Sequence, residues 1–207
     1  MRALIEKQLA EAPAPVSAAT RFLDQVHGPV SPELRDYLND SPKPAAVLLA
    51  LIARPRGLQV LLTKRADHLS DHAGQVSFPG GQLERTDSGP IEAALREAQE
   101  EVGLHRSLVS VAGTMQDFLT GTGYVITPIV CFVSNEFEAI PEQSEVAEVF
   151  EVPLTFLLAK GNIRLTQRER FGTIMKMYDF DYAEHYVWGA TAAILKKFIN
   201  TISMFNN

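Results

Sequence analysis

The sequence has very little cysteine: Cys131 is the only one among 207 residues. A single thiol cannot form an internal disulfide, so no covalent cross-link within the chain contributes to folding. Cys131 lies in the apolar run 129–133. That position favours a buried structural thiol over a catalytic nucleophile.

Long apolar runs and an excess of basic residues are also missing. No stretch reaches the roughly 18 consecutive apolar residues that a membrane-spanning helix needs, so no membrane partner is predicted. The 19 Lys and Arg residues are outnumbered by 25 Asp and Glu residues, and no basic stripe is visible. Nucleic acid is therefore not the expected main partner. Charges interrupt residues 1–7 too early for a secretory signal, and the expected compartment is the cytoplasm.

The composition that remains is ordinary for a globular protein. Hydrophobic residues make up 46% of the chain and charged residues 21%, which is typical of a chain with one well-formed core. A helix is predicted over 3–11, a linker over 12–17, and a second helix from the Ser31 cap and Pro32 to about Asn39. Further elements are predicted as a hairpin of strands 45–53 and 58–64, strands near 108–118, 124–133 and 146–152, a short helix 153–160, a hairpin 163–182 and a closing helix 186–205.

One predicted helix carries an unusual concentration of negative charge. Glu97, Glu100 and Glu101 stand at positions i, i+3 and i+4, so they share a face. Like charges at that spacing repel by about 0.2–0.5 kcal/mol per pair. Arg96 can relieve only part of this, because it reaches Glu100 at i+4. A hard divalent cation with oxygen ligands, such as Mg²⁺, is the plainest remedy.

The opposite face of this helix is apolar, so the helix can be fixed in place by packing. Pro90 suits its first turn and Gly103 suits the position just past its end. The apolar positions follow the 3.6-residue period: Ile91, Ala94, Leu95, Ala98 and Val102. Taken alone, the acidic turn is more typical of a solvated helix face than of a metal site.

The segment from Gly81 to Leu104 resembles the Nudix hydrolase family, whose pattern is G-x5-E-x7-R-E-U-x-E-E-x-G-U with U a bulky apolar residue. Two positions depart from it. The first acidic residue is Asp87 rather than Glu, with one extra residue before Arg96, and Ala98 is small where the family has a bulky residue. The matching positions are Gly81, Arg96, Glu97, Glu100, Glu101, Gly103 and Leu104.

A second stretch is similar to the coenzyme A pyrophosphatase branch of that family. The branch signature is L-L-T-x-R-[SA]-x3-R-x3-G-x3-F-P-G-G. Residues 61–66, Gly74 and residues 78–81 fit it, and Ser70 stands where the signature has its second Arg. Residues 187–191 are similar to the segment that opens the last helix in that branch.

The resemblance implies an α/β fold, namely an α/β/α sandwich with a mixed β-sheet. It divides the chain into an N-terminal helical extension, 1–43, and a Nudix hydrolase domain, 44–207. It also implies an Mg²⁺ or Mn²⁺ cofactor held by Glu97, Glu100 and Glu101 with the Gly81 carbonyl. In this interpretation Arg96 holds the carboxylates in place.

Other residues are weaker candidates for the site. Lys64 and Arg65 end a strand that feeds it, and they are predicted to meet a phosphate or to be solvated. His72 and Gln75 are candidate substrate contacts in the following loop. Glu145 and Glu148 are candidates for an extra base, against the alternative of solvent-facing charge. Trp188 is expected either to pack in the core or to stack on an adenine.

The resemblance implies that the protein hydrolyses the diphosphate of a small nucleotide. Coenzyme A or an acyl derivative is preferred, giving adenosine 3′,5′-bisphosphate and a 4′-phosphopantetheine species. Because Ser70 stands where the branch signature has Arg, the alternative substrate is another nucleoside diphosphate derivative, such as ADP-ribose or NADH. A non-catalytic nucleotide-binding regulator is a third hypothesis, which the intact Glu trio argues against. The sequence leaves a homodimer open.

Overall fold

The computed structural model describes residues 1–11 and 16–203. Its helices are α1 (Arg2–Ala10), α2 (Ala18–Leu23), α3 (Pro32–Asn39), α4 (Pro90–Val102), α5 (Leu154–Leu158) and α6 (Gly189–Ser203), with one 3₁₀ turn at Arg106–Leu108. Its strands are β1 (Val26–His27), β2 (Lys43–Arg54), β3 (Gly57–Arg65), β4 (Val76–Ser77), β5 (Gly80–Gln82), β6 (Val109–Thr114), β7 (Phe118–Leu119), β8 (Tyr124–Val133), β9 (Val146–Pro153), β10 (Arg164–Arg170), β11 (Thr173–Tyr182) and β12 (His185–Trp188).

Strand β2 is the centre of a mixed sheet. It pairs antiparallel with β3, as the hairpin prediction required, and parallel with β8. The short strand β5 also pairs with β2, through Ala46 opposite Gly81 and Val47 opposite Gly80. This pairing therefore places the two consecutive glycines beside the central strand of the sheet.

Both faces of this sheet are buried, because successive side chains of a strand point to opposite sides. Leu49 and Leu51 belong to a cluster that α6 covers and that includes Phe198. Leu48 and Ile52 belong to a second cluster that α4 covers. Helices on both sides of a mixed sheet confirm the predicted α/β/α sandwich.

A smaller sheet is formed by β10, β11, β12 and β1. The predicted hairpin 163–182 is confirmed: β10 and β11 turn at Phe171 and Gly172, both of which have positive φ angles, 52° and 62°. The last strand corrects a prediction. Residues 186–188 were expected in the closing helix, but they pair with β11 and the helix begins at Gly189.

The described part of the N-terminal segment packs against both sheets. Ile5 and Leu9 of α1 lie in the same core cluster as Phe198, and β1 pairs with β11. Helix α2 was not predicted. Part of the predicted linker, 12–15, and the predicted end of the closing helix at Phe205 lie outside the described residues. Within the described ranges, no helix combines the length and apolar content that crossing a membrane requires.

Candidate functional site

Helix α4 carries the predicted acidic turn and is held as the sequence indicated. Pro90 occupies its first turn, and Gly103 ends it in the left-handed conformation, with φ at 69°. Residues Ala93, Ala94, Leu95, Ala98 and Val102 are buried against the sheet. Because these contacts fix the helix, its acidic turn has a defined position beside β5.

Glu101 points inward rather than to solvent. Its side chain is 3% exposed, the Gly80 N–H donates to its Oε2 over 3.1 Å, and its Oε1 lies 3.7 Å from Arg65 Nη1. Burial is the main cause that raises the pKa of Glu101 to about 7, and the Gly80 hydrogen bond opposes it. The negative charge of this buried carboxylate is only partly offset by the Gly80 N–H and by Arg65. A bound cation would balance the rest of that charge.

Glu97 lies against Gly81. A Cβ atom at position 81 would stand 2.4 Å from Glu97 Oε1 and 2.5 Å from its Cδ, which is closer than nonbonded atoms approach. Burial raises the pKa of Glu97 as well, against the lowering effect of Arg96. The Gly81 backbone and the Glu97 carboxylate are therefore in direct contact only because residue 81 has no side chain.

Arg96 joins the acidic residues into one network. Its Nη1 donates to Glu97 Oε1 over 2.9 Å and to Glu100 Oε2 over 3.1 Å, while Nε and Nη2 each donate to Asp87 over 3.1 Å. The paired hydrogen bonds lower the pKa of Asp87 and raise that of Arg96. Glu100 is the exposed member, with 60% of its side chain accessible.

The extra residue between Asp87 and Arg96 does not separate the two side chains. Asp87 also accepts from the Glu84 N–H over 2.8 Å, which closes a turn before the helix. The shorter Asp side chain is thereby held within reach of the guanidinium. This partner of Arg96 was not predicted from the sequence, because the pairing depends on how the 82–89 loop folds.

A cavity of about 440 Å³ opens beside Gly80 and Gly81. Arg65, His72 and Gln75 are among the residues of its wall, whereas Lys64 is not. His72 has a positive φ of 58°, and its Nδ1 lies 3.0 Å from Gln75 Oε1, so the two side chains form one unit. Trp188 lies on the wall too, so the residue is placed for stacking as much as for packing.

The two candidate bases lie in different places. Glu145 is close enough to Glu97 and Glu101 to raise the pKa of both carboxyls. Glu148 instead lies 3.4 Å from His185 Nε2, and the ligand atoms of Glu148, His185 and Glu184 lie within 4.8 Å of one another. Phe150, on the same strand, stacks on the His185 ring with centroids 3.7 Å apart. The fold thus associates Glu145, and not Glu148, with the acidic turn.

Comparison with known proteins agrees with this geometry. The NUDIX domain family model matches residues 42–170. The chain belongs to the Nudix family. The chain is 38% identical over 168 residues to the uncharacterized Nudix hydrolase NudL of Yersinia pestis, covering 81% of this chain and 84% of the relative. The relative from Yersinia pseudotuberculosis serotype O:1b has the same identity and coverage.

Solved structures support the Nudix fold. An Ap4A hydrolase from C. elegans, in a binary complex, matches with a TM-score of 0.53 and 15% identity over 78% of this chain and 99% of that chain. A MutT/nudix family protein from Enterococcus faecalis matches with a TM-score of 0.53 and 16% identity over 96% of this chain and 73% of that chain. The protein is a Nudix hydrolase with the α/β fold of that family, whose members act on small nucleotides with divalent metal ions.

Proposed function

We propose that this Nudix hydrolase cleaves the diphosphate of coenzyme A or acyl-coenzyme A, giving adenosine 3′,5′-bisphosphate and a 4′-phosphopantetheine species. One observation carries the proposal. The two halves of the signature that resembles the coenzyme A branch meet at a single carboxylate: Arg65 lies beside one oxygen of Glu101, and the Gly80 N–H donates to the other. The signature residues therefore border the acidic turn and the cavity together.

The donor set fits a divalent ion. Glu97 and Glu101 are carboxylates whose pKa values are raised by burial, and the Glu97 carboxylate lies directly against Gly81. The residues that would hold Mg²⁺ or Mn²⁺ are Glu97, Glu100, Glu101 and the Gly81 carbonyl. An ion bound there supplies charge neutralisation of the diphosphate and a water of lowered pKa.

The remaining residues have separate roles in this proposal. Arg96 positions Glu97 and Glu100 and is itself held by Asp87. Arg65, which lines the cavity and has its Nη1 3.7 Å from Glu101, is the candidate contact for a phosphate oxygen, and His72 with Gln75 contacts the substrate from the cavity wall. Lys64 is a more distant candidate, since it is absent from the wall. Glu145 is the preferred candidate base.

The test is a substrate panel on the purified protein with saturating Mg²⁺. Coenzyme A is expected to give a higher kcat/KM than ADP-ribose or NADH, and a chelator is expected to abolish turnover. A clear preference for ADP-ribose or NADH would replace the coenzyme A proposal with a broader dinucleotide one. A protein that only binds nucleotide would release no products with or without chelator.

Ser70 is the specific reason to retain the alternative substrates. It is exposed in the loop between β3 and β4, next to Asp71 and His72 of the cavity wall. Its hydroxyl replaces a guanidinium, and a charge-assisted hydrogen bond is worth about 1.5–3 kcal/mol. We therefore expect weakened coenzyme A hydrolysis in the natural protein and a higher kcat/KM in Ser70→Arg. Unchanged ratios across the panel would show that position 70 does not contact substrate.

The cytoplasmic location and a homodimer also stay predictions.

A further inference from the structure

A histidine and two glutamates meet where the two sheets approach each other. His185 begins β12 of the smaller sheet, Glu148 lies on β9 of the larger sheet, and Glu184 belongs to the turn that precedes His185. One ligand atom from each residue lies within 4.8 Å of the other two. None of the three is on the wall of the cavity beside Gly81. The cluster is therefore separate from the site described above.

Strand alternation directs Glu148 and His185 into the space between the sheets. Phe150 is two residues after Glu148, and Val187 is two residues after His185, so each pair shares one face of its strand. Val187 is buried in the core cluster and Phe150 packs against that cluster. On both strands, the apolar interior thus ends in a polar side chain, and these two polar side chains meet.

His185 is the member of the cluster that calls for a ligand. Its side chain is only 6% exposed, and its ring stacks on Phe150 with the ring planes 11° apart. Apart from the contact of Nε2 with Glu148, neither ring nitrogen has a hydrogen bond from residues 1–11 or 16–203. A buried polar group without a hydrogen bond is costly. A ring held in a fixed plane with a nitrogen directed at carboxylates is the arrangement that a metal-ligating histidine has.

The spacing of the first two ligand atoms fits a tetrahedral ion. His185 Nε2 lies 3.4 Å from Glu148 Oε1, whereas a charge-assisted hydrogen bond is usually about 2.7–2.9 Å long. Two ligand atoms that are each about 2.0–2.1 Å from a tetrahedral Zn²⁺ lie about 3.3–3.4 Å apart. An octahedral Mg²⁺ would bring adjacent ligands to about 3.0 Å and prefers oxygen to imidazole. The distance and the nitrogen donor therefore favour zinc over magnesium.

Glu184 supplies the third ligand from the solvent side. It is exposed and adjacent to His185 in the chain, and its flexible side chain can close on an ion without movement of the strands. The Glu148 side chain is 43% exposed, so the cluster is open to solvent. Three protein ligands then leave a fourth tetrahedral position for water, and an ion has a path of entry.

We propose that Glu148, Glu184 and His185 bind a divalent transition-metal ion, Zn²⁺, which joins β9 of the larger sheet to β12 of the smaller sheet. Trp188, three residues after His185 on the same strand, is on the wall of the cavity. The ion therefore stabilises the strand that carries part of that wall. This role goes beyond the proposed reaction and does not depend on its substrate.

The first experiment is a titration of Zn²⁺ by calorimetry, with excess Mg²⁺ present to occupy the acidic turn. The natural protein is compared with Glu184→Gln and His185→Phe, which remove one ligand each. We expect each variant to bind at least about tenfold more weakly, since changes even to the partners of metal ligands cost about 10- to 100-fold. Glu184→Gln guards against a folding artefact because the residue is exposed. Glu169→Gln, an exposed change on β10, is the matched control and should bind as the natural protein does.

X-ray absorption at the zinc edge identifies the ligands. We expect an imidazole nitrogen in the zinc shell of the natural protein and of Glu101→Gln, and its loss in His185→Phe. Zn²⁺ should also raise the melting temperature of the natural protein and of Glu101→Gln, but not that of Glu184→Gln, because an ion stabilises the state that binds it.

Three results would overturn the zinc site. Equal Zn²⁺ affinity in the natural protein, Glu184→Gln and His185→Phe would leave His185 in a simple ion pair with Glu148. A zinc shell of oxygen atoms alone would contradict the histidine ligand. Loss of the bound Zn²⁺ in Glu101→Gln would place the ion at the acidic turn instead. Since no nucleotide is present in these measurements, each of these results leaves the proposed hydrolysis of coenzyme A to its own test.

Discussion

Gly81 shows how a single missing side chain shapes the site. The obstacle to a Cβ atom at this position is the carboxylate of Glu97, which is the far end of a flexible side chain. We expect Gly81→Ala to fold with nearly natural stability but to lose activity, by up to about 100-fold, because displacements near 1 Å are that costly in catalysis.

A double-mutant cycle tests whether Gly81→Ala acts through Glu97. Activity and Mn²⁺ binding are measured in Gly81→Ala, Glu97→Ala and the double variant. If the methyl group acts by moving Glu97, it has little further effect once Glu97 is gone. An equal loss in both backgrounds would show that Gly81 acts independently of that carboxylate.

Glu101 is the residue on which the proposed site depends most. Replacing it with Gln keeps the shape and removes the charge. We expect turnover at saturating Mg²⁺ to fall by at least about 100-fold, because charge stabilisation by a metal is worth several kcal/mol. Near-natural turnover in a folded Glu101→Gln protein would contradict the assignment of Glu101 as a metal ligand.

The same pair of proteins gives a pH dependence of stability. The pKa of Glu101 rises from 4.5 to about 7 on folding, mainly because of burial. The folded state therefore holds its proton more tightly, and stability without metal is lost as the pH rises from about 4.5 to about 7. The loss is at most about 3 kcal/mol, at 1.36 kcal/mol per pKa unit.

Glu101→Gln cannot titrate, so in chelator at pH 8 it should unfold at higher urea concentration than the natural protein. The gap should close below about pH 4.5, the usual pKa of the carboxyl. Added Mg²⁺ at pH 8 should stabilise the natural protein and not the variant, since a ligand stabilises only the state that binds it. A gap of the same size at pH 5 and pH 8 would show that burial of Glu101 does not govern its pKa.

At the scale of elements, Gly80 is required for the pairing of β5 with β2 rather than for the position of Glu97. A Cβ atom at Gly80 would lie 2.4 Å from the Ala46 carbonyl oxygen and 2.6 Å from Val47 Cα, both backbone atoms of β2. Backbone cannot swing aside as the Glu97 side chain can. Gly80→Ala should therefore disturb the pairing of β5 with β2 and lower the free energy of unfolding by about 1–3 kcal/mol or more.

Gly81→Ala is the matched control for Gly80→Ala, since it makes the same chemical change one residue along the same strand. Urea denaturation of the two variants should show a clear loss for position 80 and a small one for position 81. Similar losses would mean that both glycines serve the sheet, and Gly81 would have no special relation to Glu97.

The contrast between α4 and β12 shows which elements the sequence could predict. Helix α4 is specified by its own residues: Pro90 and Gly103 mark its ends, and the apolar period marks its buried face. Residues 186–188 have no such local mark. They pair with β11 because Phe180 lies opposite Val187 in the folded sheet, a contact between positions that only the completed hairpin brings together. Local periodicity then extends the closing helix too far.

For the whole molecule, the site residues that local spacing brings together were predicted, and those that the overall fold brings together were not. The Glu trio and Arg96 share one helical turn, so their spacing alone brought them together. Asp87 reaches its place through a loop, and Arg170 reaches the cavity wall through the second sheet. The mixed sheet between helices was predictable from the family pattern. The way in which the second sheet completes the cavity depends on contacts between distant parts of the chain, which no local spacing indicates.

The placement of α1 makes a prediction about the molecule as a unit. Ile5 is fully buried in the cluster that includes Leu49 of β2 and Phe198 of α6. Ile5→Ala should therefore lower the free energy of unfolding by about 2–5 kcal/mol, the usual cost of removing such a side chain from a core. A helical extension that folded apart from residues 44–207 would show no such effect on the rest of the chain.

Ile140→Ala is the control, because Ile140 is 74% exposed and the chemical change is the same. It should shift stability by no more than about 0.5 kcal/mol. Thermal unfolding is followed both by circular dichroism and by the fluorescence of Trp188, which lies far along the chain from Ile5. If Ile5→Ala moves both signals together, residues 1–43 and the Nudix domain share one cooperative core. If only part of the circular dichroism signal moves and the Trp188 transition stays, the N-terminal segment unfolds on its own and its helices are an independent extension.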